Sequence, residues 1–322
     1  MKAIIAREFA PLDKLEYGEW PEPEVKDHTV LIAAEAIGVN YPDGLLVQGL
    51  YQMKPPTPFV PGMEVAGIVH ETGAKVKRVK VGDRVAALAM IGAYAEKVAV
   101  PESQVIPLPG GMAGSDACAL MCTFGTAHHA LKQRAQIKPG EVLCVLGAAG
   151  GTGIAAVQIG KTMGATVIAI ASTPKKQSIA KEAGADHVAG YDDLRGTLKE
   201  LTGGKGVDVA FDPVGGDAFD ALTRSMAWNG RLLVIGFASG KIPQFPVNLA
   251  LVKGYSVVGV FWGSFTAHEP AVFADNMKEL MDWYAVGKVK PVIGGEYQLA
   301  DAGKVLAQVL DRGAHGKLIL KP

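Results

Sequence analysis

The sequence predicts a two-domain α/β protein, a doubly wound parallel sheet joined to a second, mostly β unit. Three observations carry this. The chain has 322 residues, more than one hydrophobic core comfortably organises. From about residue 140 to 260, short Val- and Ile-rich runs alternate with helical segments, the pattern of βαβ units whose strands are covered on both faces. Before residue 118 the chain instead breaks into short strands punctuated by glycine and proline.

Met1–Ala10 reads as a strand carrying Lys2, Arg7 and Glu8, without the long apolar core of a signal peptide. Strands follow at Thr29–Ala36, Val65–Glu71, Arg84–Leu88 and Ala95–Val100, with turns at Gly82-Asp83 and Pro109–Gly111. Ser115-Asp116 is a helix N-cap signal, and the apolar helix behind it runs to about Arg134. Beyond the turn at Lys138–Gly140, strands are predicted at Glu141–Leu146, Thr166–Ala171, His187–Ala189, Val207–Asp212, Gly230–Ile235 and Ser256–Val260. Helices at Gly151–Met163, Lys175–Ala183, Asp193–Thr202 and Ala218–Ser225 separate them. From about Pro270, helices Ala271–Val286 and Ala300–Leu310 and a strand Lys317–Leu320 return to the first unit.

Composition narrows the function. Lys plus Arg equals Asp plus Glu at 32 each, so no general field draws the chain to nucleic acid or to an anionic membrane. The longest weakly polar stretch, Cys144–Gly160, is glycine-rich and carries Thr152 and Gln158, a poor membrane span. Three cysteines, Cys118, Cys122 and Cys144, make no disulfide framework and point to a reducing, cytoplasmic setting.

The strongest local signal is the run Gly147-Ala148-Ala149-Gly150-Gly151-Thr152-Gly153 between the strand Glu141–Leu146 and an apolar helix. Glycines there let the backbone turn tightly and approach a pyrophosphate seated at the helix N-terminus, as in a Rossmann dinucleotide site. The spacing departs from the strict G-x-G-x-x-G pattern, so the weight rests on the flanking strand and helix. An NAD-binding domain usually places Asp or Glu at the end of its second strand, to hold the ribose hydroxyls. Here the chain reads Ser172-Thr173-Pro174-Lys175-Lys176. The missing acid and added cations favour the 2′-phosphate of NADPH, although both lysines also suit an ordinary solvated helix start.

With these residues in hand, the sequence resembles the quinone oxidoreductase and zeta-crystallin branch of the medium-chain dehydrogenase/reductase superfamily. The anchors, in order, are Gly38–Asp43, Val60–Gly67, Val81–Val85, Gly125–Ala127, the cofactor turn, Gly206–Val209, Asp212–Gly216 and Gly230-Arg231. The resemblance covers essentially the whole chain and implies a GroES-like mostly β catalytic domain at 1–118 and 262–322, with an NADP-binding Rossmann domain at 119–261. It also implies that Lys176, Tyr191 and Arg312 approach the 2′-phosphate, with Ser172 near the adenosine ribose. Asn40 and Thr126 are expected on the nicotinamide side, bordered by the backbone at Gly236-Phe237 and Phe261-Trp262. Leu45 stands where some members carry tyrosine. Members are usually dimers or tetramers, and the strand Ser256–Val260 is either the sheet edge that pairs with a twin or an interior strand.

Zinc-dependent relatives carry Cys where this chain has Asn40 and His where it has Met63, so a zinc site of thiolate and imidazole is not expected. Cys118, Cys122 and His129 fall roughly on one helix face and are read as packing residues before metal ligands. Without a Lewis acid, alcohol oxidation is hard. Hydride delivery to a quinone or an activated C=C is easier, because the resulting charge delocalises and needs only hydrogen bonds. Asn40, Tyr41, Asp43 and Tyr51 are the candidate catalytic residues. Asp43 serves equally as a loop brace, and the tyrosines as packing aromatics. Phe237, Phe261, Trp262 and Phe265 either line a pocket for a flat acceptor or belong to a core or interface. The expected activity is NADPH-dependent reduction of a quinone or enone by a homodimer. Two alternatives are a 2-enoyl-thioester or alkenal reductase, with Lys54 as a cation near the cleft mouth, and a redox-silent NADPH-binding protein.

Overall fold

The structure, a computed structural model, describes residues 1–322. The chain forms two compact units, one of Met1–Cys122 with Pro291–Pro322 and the other of Thr123–Lys290.

The first unit is built on a seven-stranded sheet in the order Ile293–Gln298, Lys317–Lys321, Thr29–Val39, Glu64–Thr72, Arg84–Leu88, Val105–Pro107, with Lys97–Pro101 also pairing to Thr29–Val39. A separate two-stranded ribbon joins Lys2–Ile5 to Glu16–Glu19. Thr29–Val39 is the spine. Its first half pairs with Lys97–Pro101, and its far end pairs antiparallel with the last strand, Leu318 opposite Val39 and Leu320 opposite Ile37. The sequence reading stops this strand at Ala36. The three further residues are held by partners almost 300 positions away, a pairing local periodicity does not report. Val30, Ile32, Ile37, Val65, Val69, Val85, Val98, Leu318 and Leu320 form its core. Each such side chain contributes about 1.5–3 kcal/mol when fully buried.

The second unit holds a six-stranded parallel sheet ordered His187–Ala189, Thr166–Ile170, Val142–Leu146, Val207–Asp212, Met226–Val234, Ser256–Gly259. In chain order that is 3-2-1-4-5-6, the doubly wound arrangement with its reversal between the first and fourth strands. The strand Ser256–Gly259 is an edge, paired on one side to Met226–Val234.

Two features differ from the sequence reading. The helix predicted as one piece after Ser115 begins at Gly114 and changes to π turns at Leu120–Phe124 and Ala130–Arg134. The boundary between the units falls inside the first of these. Also, the second unit does not end at 261. Helices Trp262–His268 and Pro270–Ala285 pack against Gly125–His129, so the chain rejoins the first unit only at Pro291. Trp262–Phe273 and His129–Phe265 ring contacts hold them there.

The glycine turn sets the tightest packing of the second unit. A Cβ on Gly153 would stand 2.2 Å from the Gly147 carbonyl oxygen and 2.8 Å from the Ala148 Cα. Backbone cannot retreat as a side chain can. Gly153→Ala is therefore expected to destabilise the protein by ~1–3 kcal/mol, read as a lowered thermal midpoint. An unchanged midpoint would show that the helix start tolerates displacement.

Candidate functional site

Strand Val142–Leu146 delivers the chain to Gly147 at φ +59°, a left-handed conformation that glycine adopts without penalty. A Cβ there would lie 3.3 Å from Val214 Cγ2, just past the end of strand Val207–Asp212. Gly147 thus stands where the strand order reverses, the place at which a doubly wound sheet takes its ligand. Asp212 shapes the opposite side. Its carboxylate accepts from the Val214 and Gly215 amides, both at 2.8 Å, and burial raises its pKa against those bonds.

Gly150 caps helix Gly151–Thr162, and the first amide to bond back is that of Ile154, 2.8 Å from the Gly150 oxygen. The amides before it belong to the first turn, where a helix has no internal acceptors to offer. A Cβ on Gly150 would meet only the Gly147 carbonyl oxygen, at 3.4 Å, so no side chain lies within 4 Å of that point. Ala148 and Ala149 are buried beside it, and Thr152 is half-buried at the helix start. Amides without internal acceptors at a helix N-terminus, with room for backbone approach, fit a dinucleotide pyrophosphate. The Tyr191 hydroxyl accepts from the Gly147 amide at 2.9 Å, which ties Tyr191 to the turn itself.

At the end of the second strand Ser172 is exposed. Thr173 caps the helix Pro174–Glu182 by accepting from the Lys176 amide at 3.3 Å, which puts half-buried Lys176 in that helix's first turn beside exposed Lys175. Thr126 is half-buried in helix Gly125–His129. A Cβ on Gly125 would lie 2.6 Å from Trp262 Cζ2, so the indole is packed onto that helix. Of the four aromatics offered for a pocket, Trp262 and Phe265 are buried packing residues, whereas Phe237 is half-buried beside Gly215 and Phe261 is 55% exposed. Gly236 donates to the Asp212 oxygen at 3.4 Å, close to the sheet's carboxyl edge.

In the first unit the residues around Asn40 form a buried polar cluster. Asn40 ends the spine strand and precedes helix Tyr41–Val47. Its Nδ2 donates to Glu64 Oε1 at 3.0 Å, and its Oδ1 accepts from Lys317 Nζ at 2.7 Å. Lys317 also forms an ion pair with Glu64, while Glu64 Oε2 accepts from the Cys122 amide at 2.8 Å. Glu64 and Lys317 are 0% and 3% exposed. Burial works to lower the Lys317 pKa, but Glu64 and the neighbouring acids outweigh it and the net shift is upward. Asp43 accepts from the Asn40 amide at 2.8 Å and the Tyr94 hydroxyl at 2.9 Å, through the same oxygen, Oδ2. Its Oδ1 has no partner. Burial raises the Asp43 carboxyl to about 7 against those bonds. Asp43 is therefore a brace of the Asn40 turn as well as a buried acid.

Tyr41 and Tyr51 stand outside this cluster. Tyr41 is half-buried at the helix start, its pKa raised by burial and opposed by the charge of exposed Arg312. Tyr51 packs with Met53 and Ile91 against Ala6, Leu46 and Phe59. Leu45 is half-buried on the same helix as Asp43. Sequence reasoning missed Lys317 and Tyr94. The available signal was the lone lysine ahead of the apolar run Leu318–Leu320. The cysteines serve packing: Cys118 Sγ donates to the Ala36 oxygen at 3.3 Å, and burial raises the Cys118 and Cys122 thiols well above the ordinary range.

Between pH 4 and 7 the folded protein retains a proton on Asp43 that the unfolded chain releases. The contribution of this group to stability therefore falls as pH rises through that window. Asp43→Asn keeps an oxygen for the Asn40 and Tyr94 bonds and abolishes the titration. Relative to the parent it should gain about 2–4 kcal/mol on going from pH 4 to 7.5, measured as the difference in urea unfolding free energy. A pH-independent difference would mean that Asp43 titrates normally.

Comparison with known proteins agrees with this fold. The alcohol dehydrogenase GroES-like domain family matches residues 26–110, and the zinc-binding dehydrogenase family matches residues 151–284. The metal in that second description has no donor set here, since no group of three or more His, Cys, Asp or Glu side chains converges. Quinone oxidoreductase-like protein 2 of Rattus norvegicus is 37% identical over 93% of this chain and 86% of its own length. The structure of a mycobacterial protein complexed with NADPH matches with TM-score 0.95 and 33% identity, covering all of both chains. Escherichia coli quinone oxidoreductase complexed with NADPH matches with TM-score 0.93 and 28% identity, again over both full chains. Likeness of this extent is inherited, and with amide and thioether side chains at positions 40 and 63 the chain belongs to the zinc-independent quinone oxidoreductase branch of the medium-chain dehydrogenase/reductase superfamily.

Proposed function

We propose that this protein is an NADPH-dependent oxidoreductase that reduces quinones or related conjugated carbonyl compounds without zinc. The observation that carries the reading is the pairing of a glycine turn at the strand reversal with a second-strand end that bears Ser172 and Lys176 in place of an acid. The likeness to quinone oxidoreductases complexed with NADPH supports it. When bound, the nicotinamide supplies the hydride. Two electrons and one proton pass to the acceptor, with a second proton from water or a side chain completing the hydroquinone or saturated carbonyl.

The protein's part is binding and orientation. The turn Gly147–Gly153 receives the pyrophosphate. Ser172, Lys176, Tyr191 and Arg312 are proposed for the adenosine ribose and its phosphate, and Asn40 for a hydrogen bond to an oxygen at the reacting end. Charge spread over a reduced quinone needs only such hydrogen bonds. Asp43, protonated in part near neutral pH, is a proposed proton source, with Tyr41 and Tyr51 shaping the acceptor site. We further propose a cytoplasmic location, supported by three unpaired buried cysteines. No helix is long and apolar enough to cross a membrane. A homodimer is proposed through the edge strand Ser256–Gly259. Nearby Trp228, Leu251, Val252 and Val257 are exposed apolar residues, and unprotected edges of this kind call for a cover.

The test is NADPH oxidation with 9,10-phenanthrenequinone and crotonyl-CoA in parallel, with NADH as control donor. Turnover with NADPH and the quinone is expected. Preference for the thioester would move the protein to the enoyl reductases, and silence with both would favour a redox-silent binding protein. Lys176→Ala should raise the KM for NADPH about tenfold, the loss of one charge-assisted bond, and leave that for NADH unchanged. Equal effects on both would remove Lys176 from the phosphate site. Val257→Lys is expected to lower the mass in sedimentation equilibrium to that of one chain. A single-chain mass for the parent would end the dimer proposal.

A further inference from the structure

The polar cluster under Asn40 contains more charge than a turn requires. Lys317 and Glu64 are almost wholly buried, and taking two such ions out of water costs several kcal/mol each unless their bonds are well made. Packing does not call for them, because the surrounding strands already supply an apolar core. What distinguishes the pair is that both members grip one carboxamide from opposite sides. Lysine can only donate, so the Asn40 atom 2.7 Å from Nζ is the oxygen. The ionised carboxylate can only accept, so the atom 3.0 Å from Glu64 Oε1 is the amide nitrogen. The amide plane and its sense are both dictated.

A lone asparagine can turn its oxygen or its nitrogen toward a ligand. Here one lone pair of the oxygen is taken by a buried cation. One amide hydrogen is taken by Glu64, which leaves the second. Gly38 makes the clamp possible, since any Cβ at that position would overlap the Glu64 carboxylate. Strand pairing of Leu318 with Val39 brings Lys317 to the place.

We infer that the buried Lys317–Glu64 pair is a positioning device that fixes the sense of the Asn40 carboxamide and holds its remaining amide hydrogen ready for an acceptor oxygen, such as the carbonyl of a quinone or of the nicotinamide amide. The inference deepens the reductase reading and rests on it for the identity of that oxygen. Lys317 and Glu64 act through Asn40 and need touch neither substrate nor cofactor.

The test is a cycle. Lys317→Met together with Glu64→Gln removes both charges at once and keeps the interior neutral. The pair is made in the parent and in Asn40→Ala. The thermal midpoint and NADPH binding, followed by fluorescence, report the fold. Catalysis is followed with NADPH and 9,10-phenanthrenequinone. The expected result is a kcat lower by about tenfold in the parent, the scale of one misdirected hydrogen bond. In Asn40→Ala the fall should be at most about twofold. Equal falls in the two backgrounds would assign the pair a structural role and overturn the inference, as would no fall in either.

A second measurement needs no variant that could misfold and no turnover. In the unaltered protein the Asn40 side-chain amide protons, identified by their absence in Asn40→Ala, should exchange with solvent deuterium much more slowly than those of exposed asparagines. Exchange as fast as that of an exposed asparagine would overturn the clamp. Slow exchange in a protein that oxidises no NADPH would keep the clamp and reject the reductase reading.

Discussion

The first unit is organised around an ion pair in an apolar setting. Lys317 opens the last strand, Glu64 opens the fourth strand of the unit, and Asn40 ends the spine between them. Three segments far apart in sequence are thus held in register where their strands end. Such a pair is stabilising only if every remaining bond is made. Here the Cys122 amide, the Asn40 carboxamide and the Lys317 ammonium satisfy the carboxylate. The device also explains a glycine at 38 within a strand, where glycine is otherwise unfavourable.

The second unit depends on a different constraint, the close approach of backbone to backbone at the glycine turn. Gly147 adopts a left-handed conformation and Gly153 lets the helix settle against the turn's own carbonyl. Neither contributes side-chain chemistry. Together they aim a helix N-terminus at the reversal of the sheet. Asp212 performs the complementary turn at the end of the neighbouring strand, and its buried carboxylate is spent on two amides rather than on a ligand.

Much of this was legible in the residues. The strands Arg84–Leu88, His187–Ala189 and Val207–Asp212 follow directly from apolar runs bounded by turn residues, and the four helices predicted between the strands of the second unit begin and end within two residues of their signals. The glycine turn was legible because its chemistry is local: strand, turn and helix are consecutive. Strand Ile293–Gln298 was not, since it carries two glycines and little apolar alternation and exists by pairing with the final strand. Helices Asn248–Lys253 and Trp262–His268 were also missed, being short and held by packing rather than by propensity. The aromatic run at 261–265 shows the same limit. Composition makes all three rings pocket candidates, and only packing separates exposed Phe261 from buried Trp262 and Phe265.

The sequence by itself determined the fold class, the family, the place of the glycine turn and the absence of an acid at the end of the second strand, because each is written in neighbouring residues. Tertiary structure alone decided what Asn40 can do. Asn40, Glu64, Tyr94 and Lys317 are separated by up to 277 positions, and no period of 2 or 3.6 residues connects them. Their meeting is set by strand register, and register decides which end of the Asn40 amide faces a cation and which faces an anion.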